Sequence, residues 1–418
     1  MIRILVWLSR YLLALTFILS GFVKGVDPLG SAYKFGDYFS AFGLSFMEPI
    51  AVPLAFILCA AELFIGLLLL FKVRNVFASW GAFVFMIIFT PLTFVLAIFN
   101  PVSDCGCFGD AIILTNWETF FKNIPLLGAS ILLLVYRKKL EKPFTLVNDI
   151  VLASFLLIAS FFPSFYGYYN LPLMDFRPYS IGTNIQEAMA FPADAPTDEY
   201  KTLLYYEKDG VVKEFTQDNF PWQDTTWKYV DSKSILLKKG YTPSISNFVL
   251  TDFEGWEYTD SILNYKGYYI LAVSYRLSAS NTHSFAKLNE LYFKAKELGI
   301  GFACITASPP SDIDQFISNT GVAFPFLLAD EIMLKTTIRA NPGIILLHNG
   351  TIIGKWHYSN LPESTFFEGN LTAKAMQNQQ ENRRILWIYI IVLTLVGFKL
   401  ALLPLVNKCK ISKSESLG

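Results

Sequence analysis

The stretch "PIAVPLAFILCAAELFIGLLLLF", Pro49 to Phe71, decides what kind of protein this is. A helix needs about 20 apolar residues to cross a hydrocarbon layer, and this run is long enough and carries a single charge, Glu62. Similar runs recur at Ile4–Val23, Ser79–Phe99, Phe120–Tyr136, Leu146–Phe165 and Ile385–Val406. Pro91, inside the third run in chain order, is a tolerated kink. Composition agrees: 53% of the 418 residues are hydrophobic and 16% charged, where globular chains carry about a quarter. The expectation is a membrane α-helical bundle with six transmembrane helices in total. No small-residue cleavage site follows the first run before Lys24 and Asp27, so it reads as a retained helix. With 34 basic against 34 acidic residues, nothing points to nucleic acid.

Orientation follows from lysine and arginine in the short loops. Arg3, Lys72, Arg74, the Arg137–Lys142 cluster and Lys408, Lys410 and Lys413 fall on one side if the N-terminus is inside. Arg383 and Arg384 are a local exception. The expected protein is therefore multi-pass in a bacterial inner (cytoplasmic) membrane, with both termini cytoplasmic and its soluble part periplasmic.

Four parts are expected: a membrane domain at 1–166, a connecting segment with a hairpin at 167–240, a soluble domain at 241–380, and a return helix with a basic tail at 381–418. Within the second, "LLYYEKDGVVKEF" is a hairpin turning at Asp209-Gly210. From Tyr241 on, "YYILAVS", "IGFACIT" and "FPFLLA" are strands that alternate with amphipathic helical stretches. A hairpin, "GIILLHNGTIIGKW", follows with its turn at Asn349-Gly350. That order implies an α/β sheet with helices on its faces.

Chemistry concentrates in "SDCGCFGD", Ser103–Asp110, at the outer end of the third run. Cys105 and Cys107 face an oxidising compartment, where paired thiols persist as a disulfide. Gly106 supplies the freedom such a tight closure needs. Two readings stay open, a redox pair and a structural cap on the helix. Glu62 is costly inside an apolar run and calls for a partner or a polar cavity. Lys24 is the nearest candidate partner. A structural ion pair is the favoured reading, and a quinone or proton pathway the other. Cys59 reads as a helix-packing residue and Cys304, in an apolar strand, as inert core. Asp27 and Asp149 read as boundary residues. His283, His348 and His357 are scattered, so no metal is assigned. No cofactor is evident, and a quinone is the one kept open.

Two resemblances carry the reading further. "SISNFVLTDFEGWEYTDSILNYKGYYILAVSY" and "NPGIILLHNGTIIGKW" resemble the TlpA/peroxiredoxin type of thioredoxin-like domain over roughly residues 241–362. The resemblance implies a cis peptide bond before Pro342, beside the family's redox centre. Redox-active members carry Cys-x-x-Cys where this chain has "SYRLSASNTHS", Ser274–Ser284. Thioredoxin chemistry needs a thiolate at a helix N-terminus, so this domain is expected to be inactive.

"LTFILSGFVKGVDP", "CAAELFIGLLLLF" and "SDCGCFGD" resemble the DoxX-like superfamily, in its MauE-type methylamine utilisation branch. That resemblance covers about residues 1–140. It implies work with a thioredoxin-like partner in disulfide formation in a periplasmic client, and here such a domain is fused to the same chain. The expected function is support of thiol-disulfide chemistry or maturation of that client, with Cys105 and Cys107 as the candidate pair. The alternative is a non-catalytic assembly or scaffold protein whose degenerate thioredoxin-like domain binds a partner.

Overall fold

The structure is a computed structural model describing residues 2–102, 104–140, 146–192, 194–238 and 240–415. Ser103 and Lys142, which entered the readings above, lie outside the described residues. The chain forms two compact units, one made of Met1–Gly182 with Val249–Gly418, the other of Thr183–Phe248.

The larger unit begins with helices α1 (Ile2–Val26), α2 (Pro28–Ala41), α3 (Ala51–Phe71), α4 (Asn75–Phe99), α5 (Asn116–Tyr136) and α6 (Leu146–Tyr169). Among the described residues five helical stretches are long and apolar enough to cross a membrane: Ile2–Val26, Ser45–Phe71, Asn75–Phe99, Asn116–Lys139 and Asn148–Tyr169. They contain the first four expected runs and overlap the fifth. Leu13, Ala14, Leu68, Leu69, Ala78, Ala82, Leu133 and Leu156 are fully buried between them, whereas Ile4, Leu15, Ile57, Ile88 and Ile158 lie exposed on the outside. An apolar core with an apolar exterior is the pattern of a bundle dissolved in lipid.

Helix α2 was not expected from the sequence, where Asp27 reads as a boundary residue. Asp27 is its N-cap and accepts a hydrogen bond from Gly30 N at 2.9 Å, with Pro28 at the first helical position. Both are favoured there, because the first turn has amide protons to satisfy and none is lost at proline. Helix α5 starts with a capping box: Thr115 and Glu118 each accept from the other's amide, as the pattern requires.

The smaller unit holds α7 (Ile185–Met189) and a three-stranded antiparallel sheet in the order β2-β1-β3. Strands β1 (Glu199–Lys208) and β2 (Val211–Thr216) form the expected hairpin. Asp209 and Gly210 both have positive φ, 52° and 75°, as a tight two-residue hairpin turn demands. Strand β3 (Lys228–Lys238) was not read from the sequence.

The larger unit resumes with α8 (Thr259–Leu263), β4 (Tyr268–Ser274), α9 (His283–Glu297), β5 (Gly301–Thr306), α10 (Pro310–Thr320), β6 (Phe326–Leu328), α11 (Glu331–Thr337), β7 (Gly343–His348) and β8 (Thr351–His357). The sheet order is β6-β5-β4-β7-β8. Strands β4, β5 and β6 are parallel, and β7 and β8 are antiparallel additions beside β4. Phe285, Leu288 and Ile313 from the helices pack on Ile270, Cys304 and Leu346 of the sheet. This is the thioredoxin-like arrangement, and the Asn341–Pro342 bond is cis.

Helix α12 (Leu371–Glu415) closes the chain. The sequence "QNQQENRR" is helical within it, and the expected sixth span, Ile385–Val406, lies on the same helix. Tyr389 donates to the Ala159 carbonyl at 3.2 Å and stacks on Phe162 at 5.2 Å, which sets α12 beside α6.

Candidate functional site

Cys105 and Cys107 are joined by a disulfide, with their Cα atoms 5.5 Å apart. Gly106 between them has φ of 64°, the left-handed region that favours glycine. Three contacts hold this loop. Asp104 accepts from Gly106 N at 3.0 Å and pairs with Lys34 of α2 at 2.7 Å. Tyr38, one turn further along α2, donates to the Cys105 carbonyl at 2.7 Å. Helix α2 is therefore the clamp on the disulfide loop.

Lys24 and Glu62 meet beneath the loop. Lys24 Nζ donates to Glu62 Oε1 at 2.6 Å, and both residues are 7% exposed. Ser20 Oγ lies 2.7 Å from Glu62 Oε2 and 2.7 Å from the Cys107 carbonyl. Its single proton serves one acceptor at a time, so Ser20 connects the intramembrane carboxylate to the disulfide backbone. Cys59 is buried, with its sulfur 3.7 Å from Ser31 Oγ.

A cavity of about 930 Å³, open space at its mouth included, lies between α1, α2, α3, α4 and α5. Its upper wall contains Cys105, Gly106, Cys107 and Phe108, and its apolar wall Phe17, Phe85, Met86, Phe89 and Leu126. Ser20, Lys24, Glu62, Lys122 and Asn123 face it as well. The Lys122 ammonium lies 4.4 Å from the centre of the Phe108 ring, and it has no ion-pair partner among the described residues. Asn123 donates to Thr93 Oγ1 at 3.1 Å.

The thioredoxin-like domain reaches the same region through Arg339, which is 6% exposed. Arg339 Nε lies 3.0 and 2.8 Å from the two carboxylate oxygens of Asp27, and Nη2 is 3.4 Å from Asp110 Oδ2. Its Nη1 donates to the Lys335 carbonyl, and its guanidinium lies 5.2 Å from the Tyr33 ring. Asp27 precedes α2 and Asp110 ends the "DCGCFGD" loop, so one arginine ties the domain to the start of α2 and to the end of the disulfide loop. Asp27 is thus more than a boundary residue.

Pro342 lies three residues beyond Arg339. Asn341 accepts from Ser274 Oγ at 2.8 Å and its carbonyl accepts from Asn281 N at 3.0 Å. The cysteine-free segment after β4 therefore packs beside the cis proline. Cys304 is fully buried on β5, and burial pushes its thiol well above the usual range.

A second polar centre braces the chain after α6. Asp175 binds Arg177 at 2.7 Å and Lys355 at 2.9 Å. Arg177 also donates to the Thr336 carbonyl at 3.0 Å, and Lys355 to that of Thr337 at 2.8 Å. Burial opposes the Asp175 charge, but the Arg177 and Lys355 cations outweigh it and hold the carboxyl well below the usual range. Among the described residues no three His, Cys, Asp or Glu side chains gather as a metal site would require.

The sequence reading missed Ser20, Lys34, Tyr38, Lys122, Asn123 and Arg339. A helix-start signal at Asp27-Pro28 was present and points to α2. The others are ordinary polar residues at span ends or in the distant domain, with no local signal.

This fold and site define a disulfide loop at the end of a bundle of membrane-spanning-type helices, joined to a thioredoxin-like domain that has no cysteine across Ser274–Ser284. Residues 2–136 match the family model described as "Methylamine utilisation protein MauE", so the N-terminal region carries a MauE-type domain. Residues 200–239 match a "Domain of unknown function (DUF8463)". Comparison with curated proteins found no match. Among solved structures, StoA from Bacillus subtilis is similar at 18% identity and a TM-score of 0.22, over 26% of this chain and 86% of StoA. A proposed protein disulfide isomerase from Bacteroides thetaiotaomicron is similar at 18% identity and a TM-score of 0.23, over 32% of this chain and 82% of that one.

Proposed function

We propose that this protein is a thiol-disulfide exchange component of a bacterial inner membrane, in which the Cys105–Cys107 disulfide oxidises a periplasmic client. A client thiolate attacks one sulfur of the pair, forming a mixed disulfide and releasing the other cysteine as a thiolate. The client's second thiolate then attacks its own sulfur in the mixed disulfide. The client gains a disulfide, and Cys105 and Cys107 become a dithiol. The thioredoxin-like domain supplies no thiol to this sequence and acts as the holder of the client.

The observation that carries the reading is the disulfide itself, partly exposed and clamped by Lys34 and Tyr38. Arg339 joins the thioredoxin-like domain to Asp27 at the start of α2 and to Asp110 at the end of the disulfide loop. Loop charges support an orientation with both termini cytoplasmic, and the packing of α12 on α6 supports a sixth span. The competing reading is a non-catalytic scaffold, supported by the lack of cysteine across Ser274–Ser284.

Trapping separates them. In cells carrying Cys105→Ser or Cys107→Ser, one of the two single variants should accumulate a mixed disulfide with another protein, released by reductant. The scaffold reading is supported instead if neither variant traps a protein and the double serine variant keeps full cellular function.

A further inference from the structure

Resting on that reading, we propose that the cavity under the Cys105–Cys107 disulfide binds the ring of a lipid-soluble quinone, which reoxidises the pair. Each client oxidation leaves a dithiol, and restoring the disulfide removes two electrons and two protons. A quinone takes up that number of each: its two carbonyls become hydroxyls while the S–S bond re-forms. The product carries no charge and is soluble in the bilayer.

The cavity has the features such a ligand needs. An apolar lining with a few convergent polar groups is the make-up of a small-molecule site. Phe17, Phe85 and Phe89 offer flat apolar faces, and Cys105 and Cys107 line the same cavity. From Lys24 to Thr16 on α1 the lining descends about 12 Å, deep enough for a ring and the start of its tail. Leu58 on α3 and Phe89 and Leu92 on α4 line the cavity and are each partly exposed. A ligand arriving through lipid would enter between those two helices.

Polar groups gather where the ring must sit. Lys122 projects its ammonium over Phe108 without a carboxylate of its own, while Lys24 is held by Glu62. Lys122 is thus the cation available to donate to a quinone carbonyl. Ser20 Oγ stands between Glu62 Oε2 and the Cys107 carbonyl, 2.7 Å from each.

The test separates the two half-reactions, using the full chain in lipid nanodiscs. In the first, oxidised protein meets a reduced dithiol peptide, which tests the exchange function. In the second, protein with Cys105 and Cys107 reduced meets ubiquinone-1, and both thiol content and quinone absorbance are followed. The expected result is loss of one thiol pair per quinone reduced. Leu126→Trp, which fills the cavity, should slow this about tenfold or more. If that variant fails to fold, Phe89→Trp on the partly exposed wall takes its place. A photoreactive quinone should label peptides of α1, α4 or α5 in the unmutated protein. Thiols that persist in excess quinone would overturn the inference. So would an undiminished rate in the folded filled-cavity variant, or labelling elsewhere with the cavity holding only phospholipid. Peptide oxidation without quinone reduction sinks this inference and spares the exchange function; the reverse pattern sinks the exchange function alone.

Discussion

At the scale of single residues, the membrane part is organised by one buried ion pair. Lys24 and Glu62 are 2.6 Å apart and screened from lipid by the bundle. Taking two charges out of water is expensive, and the pair is tolerable only while both members are present. Lys24→Met therefore leaves a carboxylate without its cation and should cost about 3–5 kcal/mol, read from the denaturation midpoint in nanodiscs. Lys24→Met with Glu62→Leu should recover most of that loss, since both charges then disappear. A double variant as unstable as the single one would show that the pair is not what holds this region. The presence of Glu62 and a candidate partner was legible in sequence, because a charge in an apolar run stands out. The role of Ser20 was not, because a serine in a membrane helix is common and its two acceptors come from distant positions.

At the scale of elements, α1 and α3 cross at glycines. A Cβ on Gly21 would meet the Leu63 amide and lie 2.9 Å from the Cys59 carbonyl oxygen, and one on Gly66 would lie 2.7 Å from Ile18 N. These are backbone atoms and cannot swing aside. Small residues at such crossings let helices approach closely in lipid. Gly21→Ala should push the helices apart, costing about 1–3 kcal/mol, and displace Ser20 and Lys24 from the disulfide loop. Gly36, in the middle of α2, faces open space, and a Cβ there would meet nothing within 4 Å. Gly36→Ala should therefore stabilise by up to about 1 kcal/mol. Thermal scans of the two variants check the contrast, and equal effects would contradict the close crossing. The long apolar elements were legible because hydropathy alone marks them. Helix α2 was hidden because "PLGSAYKFGDYFSA" is neither apolar enough for a span nor strongly periodic, and only Asp27-Pro28 betrayed its start. The thioredoxin-like strands were readable from their order. The cavity was not, since a cavity is the space that side chains from five helices fail to fill.

At the scale of the whole larger unit, the thioredoxin-like domain is tied to the membrane part by charges far apart in sequence. Arg339 and Asp27 are 312 positions apart, which no local pattern reveals. Arg339→Ala should raise amide exchange in α2 and in residues 335–342 while leaving the central strands protected. Unchanged exchange in α2 would show that the contact does not fix the domain. Acid should loosen the same unit in two stages. Burial depresses the His357 pKa to about 4, below that of a free imidazole at about 6.5. Between those values the unfolded chain binds the extra proton, so stability falls as pH drops through that window. Asp175, held lower than a free carboxyl, adds a further loss below about pH 4. His357→Asn should flatten the upper stage and Asp175→Asn the lower, as followed by unfolding midpoints against pH. The central claim is that Cys105–Cys107 exchanges with client thiols, and the most direct measurement mixes the oxidised full chain in nanodiscs with a reduced dithiol peptide. Alkylation and intact mass then report where the disulfide resides. Exchange requires that one peptide disulfide appear for each Cys105–Cys107 dithiol formed, and that nothing transfer in the double serine variant. A peptide that stays reduced beside an intact Cys105–Cys107 bond would contradict the account.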